Sequence, residues 1–254
     1  MNGNERPVRI ALAQIKYFDI HDKHNLEKVL SYIGKAKKGG ADIVCFPETC
    51  ILKERHLDLN HDFLNAIKRE CAKQEIWCII TDDFMYKEKL YNMAVLIDRG
   101  GKVRGNYKKM RPYAERNVTP GHKVRVFDTD FGRIGIAICW DLAFPNFFKS
   151  MKKSGAQIIF CPAQWAYEET AHKSNHKKHE TQLLKSLILT RAFENLSYVA
   201  FCSPCRLEQK DLVCYSAVAS PHKIMKEMSD KEGIIFADLD LGEIERFRKI
   251  YPGK

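Results

Sequence analysis

Residues 134–145 read Ile134-Gly135-Ile136-Ala137-Ile138-Cys139-Trp140-Asp141-Leu142-Ala143-Phe144-Pro145, an apolar run that stops at a thiol shortly before a proline. Proline is favoured in the first turn of a helix, so the stretch predicts a strand over 133–139 and a helix over 145–153. A sulfur at such a junction meets unpaired N–H groups and the positive end of a helix dipole, both of which favour thiolate over thiol. Nine cysteines are spread along the chain, and this context alone does not separate Cys139 from a buried structural thiol.

Outward from this junction, apolar spacing alternates between the two regular periods. Strands are predicted over 8–15, 43–46 and 76–81. Between them lie a helix over 24–38, with Leu26, Val29, Leu30, Ile33 and Ala36 on one face, and a helix over 59–73, with Phe63, Leu64, Ile67 and Cys71 at helical spacing. Gly39-Gly40 ends the first helix. Strands over 93–98 and 102–107 flank a turn at Arg99-Gly100-Gly101, and the stretch 108–123, broken by Pro112, Pro120 and Gly121, reads as a long loop of the kind that often carries function. Further strands are predicted over 124–127, 157–161, 197–202, 213–219 and 234–239, with a turn at 130–132 and helices over 179–194 and 241–249. Interleaved helices and strands with hairpins imply a mixed α/β layered domain. No repeat, low-complexity tract or linker divides 1–254, so a single domain is expected.

The 254 residues are 45% hydrophobic and 29% charged, which excludes a disordered or collagen-like chain. Lys and Arg number 42 against 32 acidic residues, a formal charge of +10. That charge lies in short clusters with a helical rhythm, such as 35–38, 149–153 and 173–185, and reads as solvated helix faces. No arginine-rich tail or ribonucleoprotein-type aromatic motif points to nucleic acid. No segment approaches the roughly 18 apolar residues of a membrane span, and residues 1–7 are polar. An odd number of cysteines without framework spacing suits thiols kept reduced in the cytoplasm, the expected location.

A nucleophilic cysteine needs a base, either a histidine oriented by Asn or Asp or a carboxylate combined with a cation. The nine histidines sit mostly in polar segments, none at a strand end. Glu48 directly follows Ile43-Val44-Cys45-Phe46-Pro47 and so lies at the mouth of a strand, as a surface cap or as a partly desolvated base. Lys108 and Lys109 also follow a strand. Three strand ends therefore carry Glu, Lys and Cys, and α/β sheets gather their sites at such ends. Two other constellations carry less: His172, His176 and His179 share a helical face in a lysine-rich segment where no functional metal is expected, and Cys202-Ser203-Pro204-Cys205 has no second pair and reads as structural.

Taken together, these residues resemble the nitrilase, or carbon–nitrogen hydrolase, superfamily over nearly the whole chain. Phe46-Pro47-Glu48 is similar to its glutamate motif, Tyr107-Lys108-Lys109 to its lysine motif, and Ile138-Cys139-Trp140-Asp141 with Phe144-Pro145 to its cysteine motif. The likeness extends to Pro162-Ala163-Gln164-Trp165, to Thr190-Arg191-Ala192-Phe193-Glu194-Asn195 with Tyr198-Val199, and to Tyr215-Ser216 with Pro221. The resemblance implies a four-layer αββα sandwich of two mixed β-sheets flanked by helices. It implies a catalytic triad of Glu48, Lys109 and Cys139, with the lysine two places after the tyrosine, and a supporting second glutamate at Glu115. Trp140, Ala163, Gln164 and Trp165 would line the substrate site, with no cofactor or metal, and the chain would form a homodimer or larger homo-oligomer. Three departures stand out: Ala143 where many relatives have arginine and Met110-Arg111-Pro112-Tyr113 for a histidine-containing run, both bearing on the substrate more than on the chemistry, and Thr49-Cys50 after the first glutamate.

The expected activity is cysteine-dependent hydrolysis of the C–N bond of a small amide, ureido or ω-amido compound through a thioester, releasing ammonia or an amine. Alternatives are a nitrilase, a non-catalytic basic interaction protein on the same fold, and a papain-like Cys/His enzyme. Within the superfamily a membrane N-acyltransferase would need membrane spans, and a glutamine-fed synthetase a second domain.

Overall fold

Strands buried on both faces have no solvated side, so they read as unbroken apolar runs. β2 (Ile43–Cys45) and β8 (Ile158–Pro162) are of this kind and, with β1 (Val8–Gln14), whose apolar run is broken by the partly exposed Arg9, lie inside the sheets of the computed structural model. The structure describes residues 6–16, 22–52, 56–113, 115, 117–166, 175–205 and 212–251. Around these strands come α1 (Asp22–Lys38), α2 (Asp62–Gln74), β3 (Trp77–Tyr86), β4 (Lys89–Ile97), β5 (Val103–Lys108), β6 (Val126–Thr129) and β7 (Gly132–Ile136). A 3-10 turn (Cys139–Ala143) leads into α3 (Pro145–Lys153). Beyond β8 follow α4 (His176–Asn195), β9 (Tyr198–Cys202), β10 (Tyr215–Ser220), β11 (Lys223–Ser229), β12 (Gly233–Leu239) and α5 (Leu241–Ile250).

The strands form two six-stranded sheets, one in the order β12-β1-β2-β3-β4-β5 and the other β11-β10-β9-β8-β7-β6. Each is mixed: β1, β2 and β3 run parallel in the first, β7, β8 and β9 in the second, and antiparallel strands flank both trios. Alternate residues of the first sheet point to opposite sides. Ile10, Leu12, Ile43, Cys45 and Ile79 meet Ile134, Ile136, Phe160 and Cys202 of the second sheet in one apolar core. Ala11, Ala13, Val44, Cys78 and Ile80 pack instead against Val29 and Ile33 of α1 and Leu64 and Ile67 of α2. The helices α3 and α4 cover the outer face of the second sheet through Phe148, Met151, Leu184 and Ile188. The expected αββα sandwich is the observed architecture.

Helix ends follow local chemistry. α1 carries Lys35, Lys37 and Lys38 in its last turn, where cations complement the dipole, and Gly40 then takes a φ of 78° that suits only glycine well. α3 opens on Pro145 and buries Phe147, Phe148 and Met151.

Three predicted boundaries need correction. β3 and β4 are longer than 76–81 and 93–98, because they continue into a hairpin closed at Lys87-Glu88, both with positive φ (50° and 61°). A two-residue turn of this type normally announces itself by Asn or Gly, and here it does not. β11 was not expected, since its exposed edge alternates only weakly. The strand predicted over 133–139 ends at Ile136, and Cys139 opens the 3-10 turn. All nine cysteines are unpaired thiols and buried. No helix among the described residues is long and apolar enough to cross a membrane.

Candidate active site

β2 ends at Cys45, and the chain leaves the first sheet along Phe46, whose N–H donates to the Ile79 carbonyl at 3.1 Å. Two residues later Glu48 turns toward the second sheet, its N–H reaching the Ala163 carbonyl at 3.3 Å. The Glu48 carboxylate is 3% exposed and collects three donors: Lys109 Nζ at 2.7 Å and Asn92 Nδ2 at 2.6 Å on Oε1, and the Gln164 N–H at 2.8 Å on Oε2. Thr49 Oγ1 bonds Gln164 Oε1 at 2.9 Å, which fixes that side chain as well.

Lys109 stands just past β5, 2% exposed, with its backbone tied on both sides: its N–H donates to Asn92 O at 2.9 Å and its carbonyl accepts from Gly121 N at 2.7 Å. Gly121 is required at that crossing, because a Cβ would lie 2.2 Å from the Lys108 carbonyl oxygen. Lys109 Nζ also bonds Glu115 Oε1, and Asn92 Nδ2 bonds Glu115 Oε2 at 3.2 Å. One ammonium and one amide thus hold two carboxylates side by side. Burial opposes the charge on Lys109, but Glu48, Cys139 and Glu115 outweigh it and hold the amine well above its usual range. Burial and the charge of Glu48 raise Glu115, against the pull of Lys109 and Asn92.

Cys139 comes from the second sheet. It is 7% exposed and its backbone has a φ of 47°, a conformation that costs a non-glycine residue about 1–3 kcal/mol and clusters at functional sites. Asp141 holds this turn in place. Its Oδ2 accepts from the Ile138 N–H at 3.0 Å and the Tyr107 hydroxyl at 2.8 Å, and its Oδ1 from the Arg111 N–H at 2.9 Å. One buried carboxylate therefore ties the cysteine turn to residues on either side of Lys109. From α4, Arg191 caps the end of the same turn through the carbonyls of Leu142 at 2.9 Å and Ala143 at 3.2 Å.

The thiol lies close enough to Glu48 and Lys109 for both charges to act on it, and the Gln164 N–H points at it too. Burial and the negative charge of Glu48 raise the Cys139 thiol well above its ordinary value, and Lys109 and the Gln164 N–H only partly offset them. This corrects the expectation of a resting thiolate: Lys109 pulls in the expected direction, and desolvation wins. The site stores a thiol beside a carboxylate that can take its proton.

Glu48, Lys109, Glu115 and Gln164 are joined by hydrogen bonds, and Cys139 lies within reach of the charges of Glu48 and Lys109. Trp140 packs between Tyr113, with ring centres 4.8 Å apart, and Trp165, at 5.4 Å, and Trp165 is fixed by its Nε1 donating to Glu180 Oε1 at 2.7 Å. Ala163 and Gln164 meet Glu48 through the backbone. Two residues were missed. Asn92 reaches both carboxylates, and Asp141 is part of the quoted cysteine motif yet was given no task; its place two residues after the thiol was the available signal. Of the three clustered histidines, His172 lies outside the described residues, while His176 and His179 begin α4. Among the described residues no three ligand-type side chains come together as a metal site. Cys202 donates to the Cys45 carbonyl at 3.2 Å and the Cys205 N–H to Ile15 O at 2.9 Å, so this pair sits in packing between segments.

Known proteins resemble the chain over nearly its whole length. The chain is 26% identical to omega-amidase NIT2 of Bos taurus over 96% of its length and 92% of that protein, and 24% identical to omega-amidase NIT3 of Saccharomyces cerevisiae over 96% and 91%. The crystal structure of the yeast protein superposes with a TM-score of 0.87, covering 98% of this chain and 96% of that one at 24% identity. An amidase variant from Nesterenkonia sp. AN1 shares the fold (TM-score 0.80, 20% identity, 96% and 95% covered) and carries the acetamide moiety of fluoroacetamide covalently on its active-site cysteine. Residues 9–249 match the family model described as carbon-nitrogen hydrolase. The chain belongs to the carbon–nitrogen hydrolase family.

Proposed function

We propose that the protein is a cysteine-dependent amidase that hydrolyses the non-peptide C–N bond of a small amide through a thioester. The observation that carries this reading is the convergence of Glu48, Lys109 and Cys139 in one buried site, with Lys109 bonded to Glu48 and both charges acting on the thiol. A scaffold has no use for a buried acid, amine and thiol held together at that expense of desolvation.

In the first half-reaction Glu48 takes the Cys139 proton as sulfur attacks the carbonyl carbon, since a buried thiol must be deprotonated during attack. The developing oxyanion is held by the Lys109 ammonium and the Trp140 N–H. Glu48 then gives its proton to the leaving nitrogen, the C–N bond breaks, and ammonia or an amine departs from the thioester. In the second half Glu48 deprotonates a water, which displaces the sulfur and restores the thiol. Glu115 and Asn92 keep Lys109 and Glu48 in position throughout, and Trp140, Ala163, Gln164 and Trp165 bound the substrate.

The two omega-amidase relatives favour an amide, ureido or ω-amido substrate over a nitrile. Ammonia release from matched amides and nitriles separates these readings. Cys139→Ala is expected to abolish release while leaving the melting temperature within a few degrees, and residual turnover in that variant refutes the assignment. Homo-oligomer formation belongs to the same reading, carried by the family resemblance alone, and is tested by mass photometry.

A further inference from the structure

Asp83 faces this site without any task in the mechanism above. On β3 the odd-numbered residues Ile79, Thr81 and Asp83 share the face turned toward the second sheet, and in the β3–β4 ladder Asp83 stands opposite Asn92. Side chains paired this way start from Cβ atoms about 4.5–5.5 Å apart. Asn92 is 3% exposed, and its Nδ2 is committed to Glu48 and Glu115. The amide cannot be reversed, because two carboxylates accept and do not donate. Its Oδ1 is then buried without a hydrogen-bond partner, and Asp83 Oδ1, on the residue opposite it in the ladder, is buried without one as well. Two buried acceptors on facing residues of adjacent strands, with no donor for either, are costly unless one of the two carries a proton.

The charges around Asp83 point the same way. Glu48 from the end of β2 and Glu115 from the loop after β5 are negative neighbours, Lys109 is the cation, and that ammonium already serves both glutamates. Cys139 approaches from the other sheet. Asp82 lies on the opposite face, where it accepts the N–H groups of Ile51, Leu52 and Asp83. Among the described residues, no further cation is placed to pair with a third ionised carboxylate beside Glu48 and Glu115.

We propose that Asp83 is a positioning residue that keeps its proton and donates it to Asn92 Oδ1, locking the amide that aims Glu48 and Glu115 at Lys109. Burial and the charges of Glu115 and Glu48 push Asp83 up to about 7 against the pull of Lys109, so the lock opens at mildly alkaline pH. Ionised Asp83 abandons Asn92 and adds negative charge where the thiol must give up its proton.

The inference rests on the proposed function of the site, and one experiment separates the two. Rates of iodoacetamide alkylation at Cys139 are followed by peptide mass spectrometry between pH 6 and pH 9 in the wild type, Asp83→Asn and Asp83→Ala. Asparagine retains a donor for Asn92 Oδ1 and cannot ionise. At pH 6 the first two are expected to react alike and Asp83→Ala about tenfold more slowly, the scale of a small misplacement of reacting groups. As pH rises through about 7, the ratio of wild type to Asp83→Asn falls severalfold. A flat ratio, or wild-type reactivity in Asp83→Ala, overturns the positioning role; should the alanine variant not fold, the ratio decides alone. If wild-type Cys139 reacts no faster than the other eight cysteines, the amidase reading falls and the inference with it.

Discussion

Replacing Lys109 by methionine removes the ammonium shared by Glu48 and Glu115 and keeps an unbranched stem of similar length. The side chains of Lys109, Glu48 and Glu115 are 2%, 4% and 20% exposed, so water cannot take over the lost bonds at Glu48. Removing one partner of a buried ion pair destabilises by about 3–5 kcal/mol, and the burial of the new thioether sets the expectation near the lower end. A domain of this size loses about 2–4 °C per kcal/mol, which gives a fall in melting temperature of about 6–12 °C at pH 8. Lys109 is the group that pulls Glu115 down against burial and Glu48. Without it the folded state binds more protons than the unfolded chain over a wider range above the ordinary carboxylate value. Stability then rises as pH falls through that range, and the deficit at pH 5.5 is smaller than at pH 8. Scanning fluorimetry of both proteins at the two pH values measures this directly. Equal melting temperatures, or a deficit that grows in acid, would show that Lys109 does not neutralise the carboxylates.

Other substitutions probe the supports of the site. Tyr107→Phe deletes one of three donors to Asp141 and is expected to lower stability to urea by about 1.5–3 kcal/mol, the worth of a hydrogen bond to a charged group; an unchanged midpoint would remove Asp141 as the tie between the two segments. Gly121→Ala drives a Cβ against the Lys108 carbonyl, where backbone must yield, with a loss of about 1–3 kcal/mol. Amide turnover should fall further than the loss of folded protein accounts for, because the strained segment carries Lys109, and activity in simple proportion to folded protein refutes that link.

The sandwich was legible, as were the strand-end positions of Glu48, Lys109 and Cys139, because each follows a strand that announces itself by apolar run or alternation. Their partners were not. Asn92 and Asp83 lie in the polar outer half of a hairpin whose turn residues, Lys87 and Glu88, lack the usual signature, so their pairing had no local trace. β11 was invisible for a related reason, since an exposed edge strand needs little apolar alternation. The protonation state of Cys139 is not legible in the sequence, which displays the cation of the neighbouring motif but not the degree of desolvation, which outweighs it. Asp141 shows no task in the sequence, for two of its three bonds come from Tyr107 and Arg111, which only folding brings to it.

Glu48 and Lys109 are mounted on one six-stranded plate, and Cys139 on the other. Reaction geometry tolerates errors of only about 0.5 Å, so a slight glide of one plate over the other would silence the centre while every helix and strand stayed intact to circular dichroism. Turnover would therefore be the most sensitive gauge of interlayer registry in this molecule, fading under heat or pressure before any spectroscopic sign of melting.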